Sequence, residues 1–264
     1  MRNFAVFILL LQTVFGFGQG KSLGDIEADF QGGKAEFKQL LLHEMIYPPK
    51  ALEQGLKAKI GYEVFVKKNS EKMITRPLFT DEEAFNEEAK RLINLTEFVP
   101  GAIDGDPYDS KKMVIIKFNP KKYKKMVEQR GYAIPPKPAN ASPKIEVFSS
   151  DKVDQVPTPK LPKGKSIDDF IYKQIAYPPH AVKMNMTGKT ILEFVVEPSG
   201  NITNVHPLHY LGGGCYEEAR RVLGLIKWNP AIKNGKVVRC RMKHTVYFNL
   251  PNTQKKSPLE TIAE

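Results

Sequence analysis

Five histidines, two cysteines and the glutamate pairs Glu87-Glu88 and Glu217-Glu218 are the clearest candidates for chemistry in this chain, and their spacing offers little. His206 and His209 lie three apart in a segment read as a strand, where side chains alternate, so they point to opposite faces and make a poor metal pair. His43, His180 and His244 have no ligand-like neighbours in sequence, and His244 reads as a hydrogen-bonded core histidine. Glu87-Glu88 and Glu217-Glu218 open helices, where acidic side chains suit the dipole, and do not read as an acid–base pair. Gly212-Gly213-Gly214 lacks the Lys-Ser/Thr of a phosphate loop. No nucleophile elbow or zinc pattern appears, so no enzyme, cofactor or metal is predicted. Cys215 starts a helix and Cys240 lies near the start of an antiparallel strand, at opposite ends of the layer. A disulfide needs Cα atoms within about 7 Å, so both are expected to be thiols.

What remains is backbone chemistry. Val238, Cys240, Met242, His244, Val246, Phe248 and Leu250 alternate with Arg239, Arg241, Lys243, Thr245, Tyr247 and Asn249. Strict alternation predicts a strand with one buried and one wet face. A three-stranded sheet has two edges, each carrying unpaired N–H and C=O groups. A basic outer face on such a strand reads two ways: it protects the edge from pairing, or it lines a docking edge.

The elements that must hold this strand recur at an offset of 130 residues. Tyr47-Pro48-Pro49 returns as Tyr177-Pro178-Pro179, Glu87-Glu88-Ala89 as Glu217-Glu218-Ala219, Pro100 as Pro230, Gly105 as Gly235 and Phe118 as Phe248. A unit of about ninety residues is long enough to close its own core. In the second copy Ser166 precedes a helix with apolar residues at Ile167, Phe170, Ile171 and Ile175, ended by Pro178-Pro179. Two strands follow, joined at Pro198-Ser-Gly-Asn201, then a helix from Tyr216 to Ile226, then the final strand. Each copy therefore predicts an α+β module: a three-stranded antiparallel sheet with two helices on one face.

The chain divides into a signal peptide at 1–18, a first module at 19–123, a Pro-rich linker at 124–161, a second module at 162–250 and a polar tail at 251–264. Arg2, the apolar run from Phe4 to Phe17 and Gly16-Phe17-Gly18 predict export with a cut before Gln19. A retained inner-membrane anchor is the alternative. Six prolines between Pro135 and Pro159 predict an extended spacer, and the lysine run at Lys121 to Lys125 a solvated opening to it. The excess of 40 Lys and Arg over 29 Asp and Glu reads as a basic surface in an anionic compartment and not as nucleic-acid binding.

Tyr177-Pro178, Ala181, Gly188, Phe194, Gly200, Glu218-Ala219, Trp228, Pro230, Asn234-Gly235-Lys236 and Phe248 resemble the C-terminal domain of TonB. The first copy resembles it more loosely: Ala58 stands for Gly188, Ser70 for Gly200, Phe98 for Trp228 and Asp106 for Lys236. The resemblance implies a periplasmic protein of transmembrane energy transduction. It would bind peptide segments of outer-membrane TonB-dependent transporters by strand addition at the sheet edge. On this reading Gln174, Tyr177, Arg239, Arg241, Lys243, Thr245 and Tyr247 are the candidate partner-binding residues, with Gln174 matching the polar residue before the family's Tyr-Pro. The alternative is an envelope scaffold or peptidoglycan-associated protein without energy coupling, and a homodimer is left open.

Overall fold

The computed structural model describes residues 26–80 and 83–249; the expected signal peptide and polar tail lie outside them. The first half runs β1 (Asp29–Phe30), α1 (Gly33–Glu44), α2 (Pro49–Glu53), β2 (Ala58–Val66), β3 (Lys72–Thr80), α3 (Glu83–Leu95), β4 (Phe98–Val99), β5 (Gly101–Ile103), β6 (Asp106–Tyr108), β7 (Ser110–Phe118) and α4 (Pro120–Arg130). Next come β8 (Val147–Ser149) and β9 (Thr158–Pro159). The second half runs α5 (Ile167–Gln174), α6 (Pro179–Lys183), β10 (Gly188–Val196), β11 (Ile202–His209), α7 (Cys215–Leu223), β12 (Trp228–Asn229), β13 (Ala231–Lys233) and β14 (Lys236–Phe248).

Local chemistry accounts for the boundaries. Ser166 Oγ accepts the Asp169 N–H at 3.0 Å and Asp169 accepts the Ser166 N–H at 3.0 Å, a complete capping box that starts α5. Pro49 and Pro179 occupy the first positions of α2 and α6, where a missing N–H leaves no bond unmade. Asn234 and Gly235 both take left-handed backbone (φ 49° and 72°), as a two-residue hairpin between β13 and β14 requires.

The fold is mixed α+β. The first sheet has the order β3-β2-β7 and the second β11-β10-β14, antiparallel throughout these ladders. Phe85, Ala89, Leu92 and Ile93 of α3 share a core with Ile60, Val64, Ile116 and Phe118. Ala219, Val222 and Leu223 of α7 share another with Leu192, Phe194, Trp228, Val246 and Phe248. The second sheet is larger than three strands, because β13 and the linker strand β8 both pair with β14.

The linker boundary expected at Lys124 falls inside a helix. Residues 120–130 form it, with the Asn119 side chain accepting the Lys122 N–H at 3.2 Å and Gly131 (φ 79°) ending it. Its Arg130 donates to Leu42 O at 2.9 Å and Met45 O at 2.8 Å, so the helix is tied to the end of α1.

Nor does the linker hold the halves apart. Arg220 Nε donates to Glu36 at 2.8 Å, Ser199 Oγ to Glu44 at 2.8 Å, and Asn201 Nδ2 to the Tyr132 hydroxyl at 2.8 Å. Asn204 accepts the Glu97 N–H at 2.8 Å and donates to Leu95 O at 3.0 Å. Gly32 (φ 76°) sits where a Cβ would fall 2.2 Å from Val205 O, so this approach requires glycine.

Candidate functional site: the outer edge of the last strand

The long strand β14 is paired continuously on one side. Its residues from Cys240 to Phe248 face Val196 to Gly188 of β10 without a register shift. On the opposite side the linker covers its first part. The Ser142 N–H donates to Val237 O at 2.8 Å, and the Val237 N–H to Asn140 O at 3.1 Å. Farther along, β8 runs parallel to it, with Val147, Phe148 and Ser149 opposite Arg239, Cys240 and Arg241. Beyond Arg241 no strand among the described residues pairs with this outer edge. Val237 turns its N–H and C=O outward, and the two-residue alternation carries the same orientation to Lys243, Thr245 and Tyr247. The open edge therefore presents the backbone groups of these three residues.

The candidate side chains separate into two groups. Lys243 and Tyr247 are exposed, Tyr247 at 62%, and Thr245 is half-buried. Arg239 and Arg241 do not form the free basic face expected of them. Arg239 is 4% exposed; it pairs with Glu197 at 2.7 Å and donates to Leu95 O at 2.9 Å and Ile145 O at 2.9 Å. Arg241 pairs with Glu97 at 2.6 Å and Glu193 at 2.9 Å. Burial disfavours the Arg241 charge, but Glu97 and Glu193 outweigh it and hold its pKa above the ordinary value.

Tyr177 and Gln174 lie at the far end of α5. The Tyr177 hydroxyl donates to Met186 O, and its ring meets Phe248 edge-on at 5.7 Å. Burial pushes the Tyr177 pKa up. Tyr177 thus holds the end of β14 from the core side. Gln174 is exposed, and its backbone carbonyl accepts from Arg221 at 2.9 Å. Glu218 fixes the same turn by accepting the Ala176 N–H at 2.6 Å. His244 Nε2 lies 3.2 Å from Asp168.

A polar cleft of about 460 Å³ lies beside the edge, lined among others by Lys72, Glu97, Glu193, His206, Arg239 and Arg241. Its charged groups already engage one another or the backbone; Lys72 Nζ donates to Asn94 O at 2.8 Å. Burial, and then Arg239, lower the Lys72 pKa to about 7. Among the described residues no group of three or more His, Cys, Asp or Glu could hold a metal ion, and Cys215 and Cys240 are both free and buried.

Sequence reasoning missed Glu193 and Glu197, which pair with Arg241 and Arg239 inside the second half, Glu97, which ties Arg241 to the first half, and Asn204, which ties β11 to it. The alternation of β10 places Glu193 on its outer face, opposite Lys243 in register, and that was the available signal. Glu197 owes its role to Arg239, 42 residues on, and Glu97 and Asn204 owe theirs to contacts across the two halves.

No curated protein matches the chain. Residues 173–250 match the family of the Gram-negative bacterial TonB protein C-terminal region, and all of β14 lies inside that match.

Proposed function

We propose that the second half docks extended segments of outer-membrane TonB-dependent transporters by adding a strand to the outer edge of β14, as a TonB-like protein of envelope energy transduction. The edge at Lys243–Phe248, unpaired among the described residues and inside the span that matches the TonB C-terminal family, supports docking most directly. Backbone groups of Lys243, Thr245 and Tyr247 would supply the ladder, and their side chains the selectivity. Arg239 and Arg241 act as positioning residues that hold the strand against the first half, Tyr177 braces its end, and Gln174 offers an exposed polar contact. The first half (19–123) is read as a diverged copy of the same domain, joined through 124–161. A periplasmic site of action follows from the expected signal peptide.

A photocrosslinker placed at Tyr247 in intact cells tests this. Capture of outer-membrane transporters is expected. Thr245→Pro removes an outward N–H without touching the β10 side, and capture should fall at least tenfold. Capture of cell-wall fragments alone, or undiminished capture by the proline variant, would overturn the docking function.

A further inference from the structure

We infer that the linker strand β8 is a resident occupant of the docking edge, which an incoming strand longer than the open stretch must displace. The inference deepens the docking function and rests on it for the identity of the incoming strand.

The edge is divided between two claims. The linker covers β14 from Val237 to Arg241, and the open stretch runs from Lys243 to Phe248. Strands are commonly about five or six residues long, so the open stretch seats a partner of that length and no more. A longer one meets Ser149, the residue opposite Arg241.

The resident strand is anchored, but lightly. Phe148 packs on a small cluster of Ala231, Val238 and Cys240, with Lys233 Nζ 4.6 Å from its ring centre. Arg239 Nη1 donates to Ile145 O at 2.9 Å. Against this, β8 has only three residues, all half-buried, in a parallel pairing, which is the weaker kind per residue. The first half shows that the fold does not depend on such cover: among the described residues only β2 pairs with β7, the counterpart of β14. An occupant present in one half and unnecessary in the other behaves as a competitor. The apparent affinity for a long partner is then the intrinsic affinity scaled by the fraction of molecules with β8 released.

A fluorescent synthetic peptide of residues 144–152 of this chain is the probe, titrated by anisotropy against the full chain and against a Val147→Pro/Phe148→Ser variant. The variant should bind the peptide at least tenfold more tightly than the unaltered chain; equal binding overturns the inference. Should the variant fail to fold by circular dichroism, amide exchange on the unaltered chain decides. The Arg239 and Arg241 amides should exchange by local opening, well ahead of the β10-facing amides of Val246 and Phe248. Exchange of all four together, only at global unfolding, would make β8 a permanent strand and overturn the inference. Peptide exchange with no affinity for transporter segments, in either protein, would leave the resident strand standing and sink the docking function.

Discussion

In the first half Glu63 meets Lys111 at 3.2 Å; 130 residues on, Glu193 meets Arg241 at 2.9 Å. Much of the framework repeats in this way. Glu88 accepts the Ile46 N–H and pairs with Arg91, as Glu218 accepts the Ala176 N–H and pairs with Arg221. Tyr47 donates to Leu56 O as Tyr177 does to Met186 O. Gly55 and Asn185 both take left-handed backbone. The difference lies at the hairpin end of each sheet. Lys67 and Glu71 form an exposed pair there in the first half, where the second has buried Glu197 and Asn201. Asp109 becomes Arg239. The same strand ends serve as solvated surface in one half and as the seat of the interface in the other.

The largest expected effect breaks that contrast at its deepest point. Arg239→Ala leaves Glu197 buried without its partner and should destabilise the chain by about 3–5 kcal/mol in urea unfolding. Lys67→Ala, at the counterpart of Glu197, should leave the urea midpoint unchanged, because its pair is exposed.

Glu44 sharpens the comparison through pH. Burial, and then Glu197, raise its pKa to about 7. The folded chain then holds this proton more tightly than the unfolded chain, so the group's contribution is present at low pH and is lost as pH rises from about 4.5 to 7. The unaltered chain should therefore lose up to about 3 kcal/mol of stability relative to Glu44→Gln across that window. His43, lowered to about 4 first by burial, titrates in the opposite sense but is common to both proteins. A flat difference profile would show that Glu44 is ionised in the interface.

The smallest effects have opposite signs in the two halves. Gly200 (φ 79°) sits where a Cβ would fall 2.4 Å from Trp228 O, and Gly200→Ala should cost about 1–3 kcal/mol. Ser70, its counterpart, already carries a side chain at φ 67°, and Ser70→Gly should stabilise by about 0.5–1 kcal/mol. Thermal midpoints moving in the same direction would contradict this.

Local signals were legible. The alternation of β14, the capping box at Ser166, the Tyr-Pro-Pro helix ends and the Asn234-Gly235 turn all depend on neighbours within a few residues. The helix α4 was hidden behind its lysines, although Asn119-Pro120 and Gly131 are ordinary start and stop signals. The pairing of β8 was not legible, since parallel pairing across some ninety residues leaves no local mark. Arg239 looked like an edge-facing cation because alternation specifies a face and says nothing of what covers it. The exposure of Lys243 and Tyr247 was therefore readable, and the cover over Arg239 was not.

Trp228 is the chain's single tryptophan, and it lies in the core of the second half beside Phe194, where the first half has Phe98. Its emission consequently reports closure of that half alone. Far-UV circular dichroism sees both. Superimposable denaturation curves from the two signals would mean that the polar interface fuses the halves into one cooperative unit, and a gap between them would measure how independently each half melts.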